Sequence, residues 1–134
     1  RSHFEMQLDE TLPEFNFDPD QMKRVFVNLI DNAVAAVQTE AQVTGQAGLI
    51  QIKTEYQKQH QVLKISISDN GVGIPLRDRV RVFEPYFSTK EKGTGLGLPI
   101  VKSIIEDHSG VIRALENVPK GTKMYIEIPV SPVE

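Results

Sequence analysis

The 134 residues contain no cysteine, which excludes a disulfide scaffold and a cysteine-based zinc site and is compatible with a reducing cytoplasm. No apolar run approaches the roughly 20 residues that a membrane-spanning helix needs, so no membrane contact is expected here, while an anchor elsewhere in a longer protein stays open. The formal charge is only −3, which argues against nucleic acid as the main partner. Neither familiar phosphate-binding glycine pattern occurs: there is no Gly-x-x-x-x-Gly-Lys-Ser/Thr run and no Gly-x-Gly-x-x-Gly. Repeats and low-complexity tracts are absent. With 40% apolar residues in a chain of this length, one domain over 1–134 with a real core is expected.

Two other glycine motifs are present. Leu63, Ile65 and Ile67 alternate along a strand that ends in Asp69-Asn70-Gly71-Val72-Gly73-Ile74-Pro75. The period of two puts Asp69 on the same buried face as the three aliphatics. A buried carboxylate without partners costs several kcal/mol or takes up a proton, so Asp69 needs donors from backbone, water or a ligand. Gly71 and Gly73 permit a sharp turn and the close approach of another molecule. Taken alone, the run also fits a strand-to-loop turn with an Asx cap.

Downstream, Gly93-Thr94-Gly95-Leu96-Gly97-Leu98 leads into Ile100, Val101, Ile104 and Ile105 at helical spacing, with Pro99 tolerable only in the first turn. Free N–H groups and the positive end of the helix dipole suit a phosphate at such a terminus. A third element lies upstream, where the pattern predicts a helix over 19–38 with Asp18 as N-cap and Pro19 at its first position. Met22, Val25, Phe26, Leu29, Ala33, Ala36 and Val37 make its apolar stripe. Asn28 and Asn32 fall on one strip at the edge of that stripe. Asparagine is a poor interior helix former, so the pair suggests that the side chains are needed. Neutral amide oxygens can help hold Mg²⁺ when phosphate and water supply its other ligands; hydrogen bonds to water or a neighbouring loop are the plainer alternative.

In order, Asn28-Leu29-Ile30-Asp31-Asn32-Ala33, Asp69-Asn70-Gly71-Val72-Gly73, Val82-Phe83-Glu84-Pro85-Tyr86-Phe87 and Gly93-Thr94-Gly95-Leu96-Gly97-Leu98 resemble the asparagine, first glycine, phenylalanine and second glycine boxes of bacterial sensor histidine kinases. The resemblance covers roughly 18–130 and looks most like the nitrogen-regulation group. It implies an α+β fold, the two-layer α/β sandwich of the Bergerat type. In that fold a mixed sheet of about five strands is covered on one face by about three helices, with an ATP lid over 84–95.

The resemblance implies ATP and Mg²⁺ as ligands. Asp69 resembles the carboxylate that accepts from the adenine amino group, which as a pure acceptor favours adenine over guanine. Asn28 and Asn32 resemble the metal and phosphate ligands, and Phe83 and Phe87 belong to the covering segment. Gly71, Gly73, Ile74, Gly93, Thr94, Gly95, Leu96, Gly97, Leu98 and Thr122 complete the implied nucleotide contacts. Lys90 and Lys92 are the candidate cations for the phosphates, Lys90 as the catalytic one; many sensor kinases carry lysine where this chain has Ala35, and Lys90 or an arginine within 77–81 is the substitute.

The implied activity is transfer of the ATP γ-phosphoryl group to a histidine. None of the three histidines here reads as that acceptor: His3 lies in an Arg-Ser-His that reads as a cloning remnant, His60 in a polar turn, and His108 at a helix end. The expected partners are a helical dimerisation and phosphoacceptor domain and a downstream response regulator, with this domain monomeric by itself and cytoplasmic. Two alternatives carry the same fold. A hydrolytic conformational ATPase, as in chaperones, type II topoisomerases and mismatch-repair proteins, usually has a glutamate where this chain has Asn28. A non-catalytic nucleotide-sensing module would bind without transfer.

Remaining strands are expected at 4–9, 49–56, 62–69, 111–116 and 123–130, with a polar loop over 41–48 and a second helix over 95–108. Lys53, Lys64, Ser66 and Ser68 predict that the sheet face away from the helices is partly wet.

Overall fold

The computed structural model describes residues 2–87 and 97–133. Alternating aliphatics build one five-stranded sheet from β1 (Ser2–Gln7), β2 (Gly48–Gln57), β3 (Val62–Asp69), β4 (Val111–Glu116) and β5 (Thr122–Pro129). The order across it is β1-β2-β3-β5-β4. Only β1 and β2 run parallel, because the chain passes between them through the long helix α1 (Pro19–Thr44), a crossover of the length that parallel pairing demands. The two hairpins, β2–β3 and β4–β5, are joined through two single-turn 3₁₀ helices (Leu76–Asp78 and Arg81–Phe83) and α2 (Gly97–Asp107).

One face of the sheet is dry. Leu63, Ile65 and Ile67 of β3 lie opposite Ile128, Ile126 and Met124 of β5, and all six are buried. Met22, Val25, Leu29, Ala33 and Val37 of α1 and Val101, Ile104 and Ile105 of α2 close over them in one cluster. Each fully buried aliphatic here contributes about 1.5–3 kcal/mol relative to exposure. The opposite face carries Lys53, Lys64 and Ser66 at exposed or half-exposed positions, as the alternation predicts, although Ser68 is buried.

The start of α1 follows expectation: Asp18 is extended and its carboxylate accepts from Gln21 N at 3.0 Å, with proline in the first turn. Its end does not. Residues 39–44, past the expected helix end at 38 and reaching into the loop expected over 41–48, continue the helix to a left-handed Gly45 whose N–H returns to Ala41 O at 2.8 Å. That glycine is an αL stop, and the extra turn exists because Glu40 is buried inward against the protein rather than solvated. At the N-terminus the strand is shifted two residues earlier than expected. Ser2 and His3 pair with Gly48 and Leu49, so they belong to the sheet. Asp9 leaves it because its carboxylate accepts from Thr11 N and Tyr56 N, both at 2.8 Å. The third helical element expected over the sheet is the pair of 3₁₀ turns, whose Val82 and Phe83 join the core.

Candidate functional site

Asp69 ends β3 facing the helices and is 6% exposed. Its Oδ1 accepts from Gly71 N at 2.9 Å and, more weakly, from Thr122 N at 3.4 Å; among the described residues its hydrogen bonds fall on Oδ1, leaving Oδ2 for another donor. Burial pushes the carboxyl above the ordinary aspartate value of 3.8, against those two N–H groups that hold it down.

Gly71 lies against α1. A Cβ there would meet the Ala36 carbonyl carbon at 2.5 Å, so only glycine lets the Asp69 loop touch the helix. Gly73 has φ +78, the left-handed region that favours glycine. Asn70 fixes the same turn to the start of β2, accepting from Leu49 N at 2.8 Å and donating to Ala47 O at 3.1 Å. Ile74 packs on the core.

Eight residues back along α1, Asn28 is half-buried and its Nδ2 donates to Arg24 O at 3.0 Å. That bond orients the amide, and among the described residues no hydrogen bond falls on its Oδ1. Gly97, the first residue of α2, sits beside it: a Cβ on Gly97 would come within 3.3 Å of Asn28 Oδ1. Asn32, one turn on, is half-buried and has an interaction of its own. The α1 axis thus carries amide oxygens next to a helix N-terminus at one end and the Asp69 turn at the other. The two ends are about 12 Å apart at the α-helical rise. A ligand that fits is elongated, with a hydrogen-bond donor at one end and an anion at the other.

Phe83 is buried in the core and Leu98 and Phe87 pack against it. Arg81 stacks on the Phe87 ring, 4.6 Å from its centroid, and Arg79 Nε donates to Ile74 O at 3.1 Å. Both arginines thus have partners within the segment around the 3₁₀ turns. Thr122 is buried and contributes its backbone N–H. Lys90, Lys92, Gly93, Thr94, Gly95 and Leu96, and the lid beyond Phe87, lie outside the described residues. Among the described residues no group of three or more His, Cys, Asp or Glu side chains could hold a metal.

Three supports escaped the sequence reading. Asn117 Nδ2 donates to the backbone carbonyl of Asp69 at 2.8 Å. Gly121, at φ +108, packs so tightly that a Cβ would lie 1.8 Å from that same carbonyl oxygen. Lys120 pairs with the buried Glu40 of α1. The break between the strands expected at 111–116 and 123–130 is visible in the sequence, but nothing in it indicates that the connecting turn sits on Asp69. His108 Nδ1 lies 2.8 Å from Ile104 O and its Nε2 accepts from Asp18 N; His60 is exposed in its turn, and His3, read as part of a cloning remnant, is exposed within β1.

The mixed sheet with α1 and α2 packed on one face defines a two-layer α/β domain. Residues 17–132 match the family model described as histidine kinase-, DNA gyrase B- and HSP90-like ATPase, and the chain belongs to that family. It is 37% identical over 123 residues to the sensor histidine kinase ZraS of Escherichia coli K12, covering 92% of this chain and 24% of that protein. It is 37% identical over 131 residues to sporulation kinase E of Bacillus subtilis, covering 96% of this chain and 17% of that one. The chain thus spans a quarter or less of the length of these relatives. Among solved structures, the catalytic domain of histidine kinase ThkA superposes with a TM-score of 0.80 at 35% identity, covering 98% of this chain and 82% of that one. No helix among the described residues is long and apolar enough to cross a membrane.

Proposed function

We propose that the chain, as one domain over 1–134 with its lid at 84–95, binds ATP and presents the γ-phosphoryl group to a histidine on a separate helical domain of a sensor kinase. The observation that carries this reading is the placement of Asp69 and Asn28 along α1. A buried carboxylate with an unshared oxygen stands at one end, and a fixed amide oxygen beside the α2 N-terminus at the other. Asp69 accepts from the adenine 6-amino group, and the start of α2 faces the phosphates. Asn28 and Asn32 would hold a Mg²⁺ ion, which would neutralise charge developing during transfer. Asn28 is neutral and cannot take a proton from water, so hydrolysis without an acceptor is slow. Phe83 and Phe87 form the wall from which the lid begins, and Lys90 is the proposed lid cation. In the transfer the acceptor imidazole nitrogen bonds to the γ-phosphorus as the bond to the β-phosphate oxygen breaks and ADP leaves. This domain contributes position and charge rather than covalent chemistry.

This chain matches only a quarter or less of the sensor histidine kinase ZraS and of sporulation kinase E, which supports a partner domain of the helical phosphoacceptor kind; a response regulator downstream belongs to the same proposal. The test mixes the chain with a separately expressed phosphoacceptor domain and γ-labelled ATP. Label on histidine supports the kinase. ATP binding with no transfer favours a sensing module, and rapid release of phosphate without acceptor favours a conformational ATPase; either overturns it.

A further inference from the structure

The geometry points to the β4–β5 turn, 117–121, as the element that positions Asp69 for base recognition, with Asn117 as its positioning residue. This rests on the reading of Asp69 as the adenine acceptor. The turn is closed on itself by Asn117 N donating to Gly121 O at 3.0 Å. It is pinned to the end of β3 by Asn117 Nδ2 donating to Asp69 O at 2.8 Å. Gly121 lies flush on that carbonyl, with room for no side chain. The next residue, Thr122, supplies the second N–H to Asp69 Oδ1. Asn117 thus sets the residue that reads the base in two ways: it holds the Asp69 backbone directly, and it holds the turn that delivers Thr122 N–H.

The turn is also tied to the other end of the site. Lys120 pairs with Glu40, a carboxylate 5% exposed on the last turns of α1. The same helix carries Asn28 and Asn32 and touches Gly71 through Ala36. A side chain outside the pocket therefore couples base reading to the amide helix. Glycine motifs define where the nucleotide lies; Asn117 determines how sharply the carboxylate discriminates what lies there.

The experiment compares ATP with purine riboside triphosphate, which lacks the 6-amino donor, by calorimetry on the full chain. The parent chain is expected to prefer ATP by roughly 10-fold or more. Asn117→Ala lowers that ratio about 2- to 10-fold, the range of one neutral hydrogen bond, with the affinity for the deaminated analogue little changed. A loosened fold would weaken both ligands together. Asn117→Ser, which keeps the turn preference but whose shorter hydroxyl does not reach the Asp69 carbonyl, gives the same reading if the alanine variant is poorly folded. Asp69→Asn serves as the reference. If it leaves the preference for ATP intact, the base-reading assignment fails. If it abolishes the preference while both Asn117 variants retain the parent ratio, the assignment stands and the positioning role is overturned.

Discussion

Gly71 touches Ala36 so closely that its missing Cβ is what seats the Asp69 turn on α1: the added carbon would lie 2.6 Å from the Ala36 carbonyl oxygen and 2.7 Å from its Cβ. Backbone on both sides cannot yield cheaply. Gly71→Ala should therefore cost about 1–3 kcal/mol, as overpacking does, read as a lower urea midpoint. Gly73→Ala meets nothing closer than 3.5 Å but must hold φ +78, so its cost is only about 1–2 kcal/mol of left-handed strain. A Gly71→Ala variant as stable as the parent would contradict the packing.

Asp69 sets binding against stability. Its folded pKa lies above 3.8 because burial disfavours the charge. Between the unfolded and folded values the folded chain holds more protons than the unfolded chain, so stability falls as pH rises through that window. At neutral pH the ionised carboxylate burdens the unliganded fold. Asp69→Asn can still accept from Gly71 N and carries no charge. Its melting temperature at pH 7 should equal or exceed that of the parent, with the difference vanishing below pH 3.8, while ATP affinity falls roughly 10- to 100-fold. A variant that loses much stability at pH 7 without nucleotide would sink this account.

The division between what was legible and what was not follows sequence distance. Strand alternation and the Asp18-Pro19 start are local patterns, and they placed β3, β4 and the start of α1 within a residue. The glycine turns were readable because φ and close approach restrict the residue type. The helix end was misread because the polar run Gln38-Thr39-Glu40 looks solvated, whereas Glu40 is buried against Lys120, eighty residues away. Asn117 was invisible for the same reason: its contact with Asp69 spans 48 residues, and one asparagine before a proline turn carries no local mark of a distant partner. Arg79 and Arg81 looked available to a phosphate because their partners, Ile74 O and the Phe87 ring, are set by how the 3₁₀ turns fold back.

His108 ties the two helices together. With its Nδ1 proton directed to Ile104 O, Nε2 is left to accept from Asp18 N at 3.1 Å. His108→Phe keeps the bulk and deletes the acceptor. A loss of about 0.5–1.5 kcal/mol is expected, and amide hydrogen exchange at Asp18 should accelerate by more than at Gln21, whose N–H is held by the Asp18 carboxylate. Equal exchange changes at both amides would mean that the helix start loosens as a whole and that the histidine bond is not specific.

Asn28 and Asn32 offer a test in which ligand and stability move differently. An interior asparagine costs a helix up to about 0.7 kcal/mol relative to alanine. Asn32→Ala recovers that propensity but gives up the interaction its side chain makes, and with the core side of α1 untouched it should stay folded. Asn28→Ala forfeits its bond to Arg24 O, an exposed contact that water can replace, so it too should stay folded. If the amide oxygens serve a Mg²⁺ ion on the phosphates, each substitution weakens ATP binding by roughly 10-fold or more with Mg²⁺ present. The effect should be several-fold smaller when the metal is chelated. Paired calorimetric titrations with and without EDTA separate the contributions. Equal losses in both would assign the amides to the phosphates directly, and no loss in either would leave them as surface groups on α1.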